Sequence, residues 1–231
     1  MPHVSRSIFS PNKIRGLTSK SRNTVGLLFY GGEVSEMIYL VRHGQTTWNL
    51  EGRRQGHLDS PLTAHGLIQA EVVGQQLLRE CTNGDIVRII SSPLDRAMAT
   101  ACIIAKHLGV SQEHITTEPL LIEHHMGCWQ GLTDHQIDEK YPGARKERAE
   151  NRWQYVIPGG ESYARVYERA VTWLATISED WWVVAVAHEM ISRTIRGAYC
   201  RLDPSSMLAL HHPHSTIYRL HRGKVEEITC D

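Results

Sequence analysis

The chain has little that would tie it to a membrane, a nucleic acid or an oxidising compartment. No apolar stretch approaches the ~20 residues needed to span a bilayer. Lys plus Arg equals Asp plus Glu at 25 each, so the formal net charge is zero. That balance sets up no general field for a polyanion or an acidic membrane, and any positive potential has to be built locally by a few arginines. The cysteines Cys81, Cys102, Cys128, Cys200 and Cys230 are odd in number, scattered, and without a CxxC pair. A reduced, cytoplasmic setting is the simpler reading. There is neither an internal repeat nor a low-complexity tract.

Acids are missing before Glu33, while Arg6, Lys13, Arg15, Lys20 and Arg22 stand among several serines. This composition resembles a transit peptide, yet the basic stretch lacks an amphipathic period. A disordered tail, or an upstream start codon used in place of Met37, is the preferred reading. Residues 1–36 are therefore taken as an extension, and 37–231 as one domain large enough to bury a substantial core.

Within 37–231, apolar runs alternate with helical spacing. Met37–Val41 reads as a buried strand, and Thr63 as the N-cap of a helix to about Glu80. Ile86–Ile90 is a second strand, followed by a helix from Leu94 to about Leu108. Leu120–Ile122 is expected to be another strand, 133–141 a short helix, and the segment to Pro158 polar and charged. Glu161 to about Ile177 is helical, with Tyr163, Val166, Tyr167, Ala170 and Leu174 on one side. Trp182–Ala187 is a strand followed by a helix through Cys200, and strands near Met207–Leu210 and Ile217–Leu220 close one edge. The alternation predicts an α/β three-layer sandwich, a mainly parallel central sheet flanked by helices.

In such folds ligands bind beyond the C-terminal strand ends. Arg42-His43-Gly44 ends the first strand and His188 another. Ser91-Ser92 ends a third and places Arg96 in the next helix's first turn, while Glu123 ends the short fourth run. An arginine, a histidine and a glycine at a strand end make a natural phosphate site. The guanidinium is a planar fork of donors, the glycine lets backbone approach a ligand, and a rigidly held histidine can attack phosphorus.

The surrounding residues extend the pattern: Thr46, Trp48 and Asn49, then Gly52-Arg53, Gln55-Gly56 and Asp59-Ser60-Pro61-Leu62-Thr63. After these come Ser91-Ser92-Pro93-Leu94-Asp95-Arg96-Ala97, Glu123 with Gly127, Trp129 and Gly131, Pro158-Gly159-Gly160-Glu161-Ser162, and Ala187-His188. In this order the set closely resembles the histidine phosphatase superfamily, the phosphoglycerate mutase-like proteins, from about Met37 to the C-terminus. The Glu123–Gly131 stretch looks most like small phosphatases, including the alpha-ribazole phosphatase type.

The resemblance implies that His43 is the nucleophile and forms a phosphohistidine. Arg42, Arg96 and His188, the last when protonated, would complete a phosphate pocket with Asn49. Glu123 matches the family's proton donor, although Glu118 lies nearby. Gln55, Gly56 and Glu189 join Asn49 as expected substrate-binding residues. Glu189 departs from the pattern, because many relatives carry glycine after this histidine. If it points inward it can lower phosphate affinity, raise a neighbour's pKa or select a cationic substrate.

The expected substrate is a small phosphorylated metabolite. No cofactor or metal is called for, since arginines supply the charge that Mg²⁺ supplies elsewhere. His211-His212-Pro213-His214 has no carboxylate or cysteine at ligand spacing, which argues against a metal centre. Trp129 is read as packing rather than as a substrate platform. Glu123 and His188 are 65 positions apart, short for a cofactor-dependent phosphoglycerate mutase by the same resemblance. A phosphomonoesterase therefore ranks first, a mutase second, and an inert phosphate-binding regulatory protein third. A homodimer stays open.

Overall fold

The first strand, β1 (Met37–Arg42), lies in the middle of a sheet rather than at its edge. The computed structural model describes residues 36–81, 87–178 and 180–230, so the expectations for the first 35 residues fall outside the described part. In chain order β1 is followed by α1 (Thr47–Leu50), α2 (Ala64–Glu80), β2 (Val87–Ser91) and α3 (Asp95–His107). Next come β3 (Thr116–Thr117), α4 (Asp134–Lys140), α5 (Ala144–Glu150), α6 (Tyr163–Leu174) and β4 (Trp182–Ala187). The chain ends with α7 (Glu189–Tyr199), α8 (Pro204–Ala209), β5 (Thr216–His221) and β6 (Lys224–Thr229).

The described strands order as β3-β2-β4-β1-β5-β6. β1, β2, β3 and β4 are parallel, and β5 and β6 add an antiparallel edge. The expected three-layer α/β sandwich is present. Period-two alternation sends Ile38, Leu40, Val183 and Ala185 to one face, where Val166, Trp173, Ile191 and Ile195 of α6 and α7 pack on them. Tyr39, Val41, Val184 and Val186 face the other way, against Val73, Leu77, Ala101 and Ile104 of α2 and α3. Both faces are covered, which is why β1 and β4 are nearly continuous apolar runs. None of the described helices is long and apolar enough to cross a membrane.

Four expectations need correction. Leu120–Ile122 is not a strand: the chain pairs with β2 only over Thr116–Thr117, then turns as a 3-10 helix over Pro119–Leu121. Pro119 has no N–H for a ladder, and the Glu118 side chain accepts from the Leu120 N–H. Met207–Ala209 belongs to α8, with Leu210 its extended C-cap, and the helix start is set by Asp203 accepting from the amides of Ser205 and Ser206 with Pro204 at the first helical position. The outer partner of β5 is β6, reached through the two-residue turn Arg222-Gly223, both at positive φ (49° and 72°). The polar segment before Pro158 contains the helix α5, which has no buried residue. By contrast, Thr63 caps α2 as expected, accepting from the Gly66 N–H at 2.9 Å.

Candidate active site

Strand register brings the candidate residues together. β1 and β4 are neighbours with Arg42 opposite Ala187, and β4 lies beside β2 with Ser91 opposite Val186. The next residues continue the pairing: the His43 N–H donates to the Ala187 carbonyl at 3.0 Å, and the Ser92 N–H to the Val186 carbonyl at 2.9 Å. His43, Ser92 and His188 therefore stand side by side. Ring centroids of His43 and His188 are 5.1 Å apart.

His43 is 3% exposed. Its Nδ1 lies 2.8 Å from the Gly44 carbonyl. A carbonyl only accepts, so Nδ1 carries the proton and Nε2 keeps its lone pair. Burial, then the charges of Arg96 and Arg42, push the imidazole well below its ordinary value and keep it neutral. The ring of His214 lies 5.5 Å away, and its Nδ1 donates to the His43 carbonyl at 2.6 Å.

Gly44 has a different task from the one expected. A Cβ there would stand 2.3 Å from the Gly66 carbonyl oxygen, so the glycine admits the N-terminus of α2 rather than a ligand.

His188 is fully buried, with Nε2 2.7 Å from the Ser92 hydroxyl oxygen. Burial first, and then Arg96, lower its pKa well below the ordinary value. Its ring is thereby held in the neutral form. Its Nδ1 is buried with no hydrogen-bond partner among the described residues, as are the Nε atoms of Arg42 and Arg96.

The two arginines are held firmly. Arg96 donates from Nη1 to the Leu58 carbonyl at 2.8 Å and to Asp59 at 2.6 Å, and from Nη2 to the Gly56 carbonyl at 2.8 Å. Gly56 is needed for that carbonyl: its φ is 57°, and a Cβ would strike the Gln130 side chain at 2.4 Å. Arg42 donates from Nη1 to the His212 carbonyl at 2.8 Å and pairs with Glu189 at 2.9 Å. Asn49 accepts the Thr46 N–H on Oδ1 at 3.0 Å, which leaves its amide NH₂ as a donor. Gln55 is buried and accepts from Ser60 at 3.1 Å. Arg42, Asn49, Gln55, Gly56, Arg96, Glu123 and Glu189 line one cleft of about 100 Å³, with Arg53 and Arg54 also on its wall.

Glu123 enters this cleft from the turn after Leu121. Its Oε1 accepts from the amides of Met190 and Ile191 at 3.2 and 3.3 Å, the second and third residues of α7. The helix dipole and these donors favour the carboxylate, as do Arg96 and Arg42, but burial outweighs them and the pKa is raised. Glu118 is taken up by the turn itself. Trp129 is buried against Met126, Ile137 and Ile157, so packing is its role.

Several residues of the site were not singled out by the sequence. Asp59 fixes Arg96 and also accepts from the Asp95 N–H at 3.0 Å. Arg169 donates to the carbonyls of Leu120 and Ile122 at 2.9 Å each and pairs with Glu161 at 2.8 Å, clamping the backbone that carries Glu123. Only long-range folding creates these contacts. Asp59 and Glu161 lie inside the motifs quoted above, which was the only available signal.

Residues 38–227 match the family model described as the histidine phosphatase superfamily, branch 1. The chain is 38% identical over 173 residues to phosphoglycerate mutase-like protein 4 of Arabidopsis thaliana, covering 73% of this chain and 72% of that one. It is 36% identical over 168 residues to phosphoserine phosphatase 1 of Hydrogenobacter thermophilus, covering 71% and 75%. Its fold superposes on mycobacterial glucosyl-3-phosphoglycerate phosphatase in complex with VO3 with a TM-score of 0.68 at 30% identity, covering 84% and 96% of the two chains.

Proposed function

Because the chain belongs to branch 1 of the histidine phosphatase superfamily, we propose that it is a metal-independent phosphomonoesterase acting through a phosphohistidine at His43. The observation that carries this reading is the state of His43: neutral, with its proton fixed on Nδ1 by Gly44 and its Nε2 lone pair unprotonated. That is the form a nitrogen nucleophile needs.

In the first step Nε2 attacks phosphorus and the ester P–O bond breaks. Arg42, Arg96 and the Asn49 amide take the non-bridging oxygens as charge develops there, with the unpartnered Nδ1 of His188 as a further donor. Glu123, whose pKa burial raises, gives its proton to the leaving oxygen. The carboxylate so formed is held by the amides of Met190 and Ile191. In the second step it takes a proton from water, the oxygen attacks phosphorus, and the P–N bond breaks to release phosphate with Glu123 protonated again.

The substrate in this proposal is a small phosphorylated metabolite, whose leaving group meets Arg53, Arg54 and the segment 131–158. The scattered cysteines support a cytoplasmic location. A mutase would pass the same phosphoryl group to a second hydroxyl instead of water.

The test is hydrolysis of p-nitrophenyl phosphate in EDTA, with acid-stable and base-stable phosphoryl groups resolved by rapid quench and located by mass spectrometry. Metal-free turnover with label on His43 is expected. Turnover that requires 2,3-bisphosphoglycerate would replace the phosphatase with a mutase, and absence of label from His43 would reject both.

A further inference from the structure

Glu189 has no step in that chemistry, yet it occupies the same cleft. It is the first residue of α7. Its Oε2 lies 2.9 Å from Nη1 of Arg42, and its Oε1 is paired with Nη2 of Arg193, one turn along the helix. Nδ1 of His211 is 3.9 Å from the same oxygen. The three side chains are mostly withdrawn from solvent, at 25%, 13% and 7% exposure for Glu189, Arg42 and Arg193, so screening is weak. Burial acts to raise the Glu189 carboxyl, but Arg42 and Arg193 outweigh it and hold it below the usual range. An ionised carboxylate thus stands on one of the two arginines assigned to phosphate, in a cleft of about 100 Å³.

A phosphoryl dianion arriving at Arg42 meets this carboxylate as a like charge and as a rival for the same N–H. Withdrawal of a buried carboxylate from its only partner would be costly. Glu189 has a second partner, because its Oε1 is already paired with Arg193 one turn along α7, with His211 also near that oxygen.

We propose that Glu189 is an internal counter-anion that competes with phosphate for Arg42, with Arg193 as the alternative partner that lets it step aside. This pair is a determinant of affinity for the phosphoryl group: it weakens retention of the phosphate product and demands a ligand charged strongly enough to displace a carboxylate. The inference rests on the reading of the cleft as a phosphate pocket.

Orthophosphate binding, measured by calorimetry on the full chain, tests it in wild type, Glu189→Gln, Arg193→Lys and the double variant. Glutamine keeps the shape and removes the charge, so Glu189→Gln is expected to bind about tenfold tighter. Arg193→Lys loses the planar fork, leaves Glu189 more tightly committed to Arg42, and is expected to bind phosphate several-fold more weakly. That weakening should vanish in the Glu189→Gln background, a coupling that a merely structural role would not produce. An unchanged phosphate Kd in Glu189→Gln, or an Arg193→Lys effect that persists in the double variant, would overturn the inference. Trapped phosphohistidine in the same proteins separates the two levels. Label on His43 with an unchanged Kd rejects the counter-anion alone, whereas no label and no phosphate binding in any variant rejects the phosphatase reading with it.

Discussion

Arg42, His43, Ser92 and His188 stand at the ends of three adjacent strands whose side chains are buried on both faces. Residues 126–158 fold differently, as short helices and turns gathered on Met126, Trp129, Ile137 and Ile157. The first region holds its groups with a deep core and paired backbone, so the atoms proposed to react are preorganised. The second has a thin core, short helices and many charged side chains, the build expected of a part that adapts to the ligand's variable end. On the proposed function, one rim would fix the reaction while the neighbouring segment would select what undergoes it.

The strongest way to break this contrast is His43→Ala. Removal of the proposed nucleophile is expected to lower hydrolysis of p-nitrophenyl phosphate by at least ~10⁴-fold, with melting temperature little changed. Retention of a tenth of the activity would show that the rim does not fix the chemistry.

Glu123→Gln comes next. With an alkyl phosphate the loss should be ~10²–10⁴-fold, and with p-nitrophenyl phosphate, whose leaving group needs little help, much less. The raised pKa of Glu123 and the lowered pKa of His43 define the profile of kcat/KM: it rises as His43 deprotonates well below pH 6.5, and falls as Glu123 ionises above 4.5. The alkaline fall should be absent in Glu123→Gln. Equal losses on both substrates would mean that the carboxylate serves only the N-terminus of α7.

Ile137→Ala sharpens the comparison from the other side. The residue is fully buried, and its truncation should cost ~2–5 kcal/mol locally. The expected readout is faster amide exchange across 126–158 and a KM that rises more than kcat falls. A loss confined to kcat would contradict the division of labour.

The mildest perturbation is acid. Burial pushes His43, His188 and His212 well below their ordinary value, and His124 and His214 down to about 4. Such a group binds its proton more readily in the unfolded chain, so its contribution is complete above about pH 6.5 and is lost as pH falls toward the folded value. Melting temperature should therefore be flat from pH 7 to 8 and decline between 6.5 and 4.5. A maximum near pH 5 would show that these rings are charged in the fold.

Much of the sheet rim was legible in the sequence. β1 up to Val41 and β4 are unbroken apolar runs, and a polar residue that directly follows such a run has one place to go. Elsewhere local signals conflicted. Met207–Leu210 has the apolarity of a strand, but Asp203-Pro204 starts a helix whose hydrogen bonds decide the matter. In β6 the adjacent Glu226 and Glu227 hide the alternation, and Arg219 and Tyr218 of β5 satisfy them only after folding. The helix α5 has no fully buried residue and so has no apolar stripe to read. Within the site, Glu189 could be recognised as unusual, but its partner Arg42 is brought to it by the β1–β4 pairing, which no spacing reveals.

The contact of Gly44 with Gly66 has a consequence for heritable change in this protein. A methyl group on Gly66 would lie 2.0 Å from the Gln45 carbonyl oxygen, and one on Gly44 2.3 Å from the Gly66 oxygen, with backbone on both sides and nothing able to swing away. The strand that presents His43 and the first turn of α2 are thus joined at a seam with no room for a side chain. A single alanine on an otherwise ordinary helix would displace the loop behind His43, the proposed nucleophile, and silence the protein while every candidate reactive group stayed intact. Anyone who redesigns or compares such chains should inspect position 66 before concluding that a complete set of reactive residues means a working enzyme.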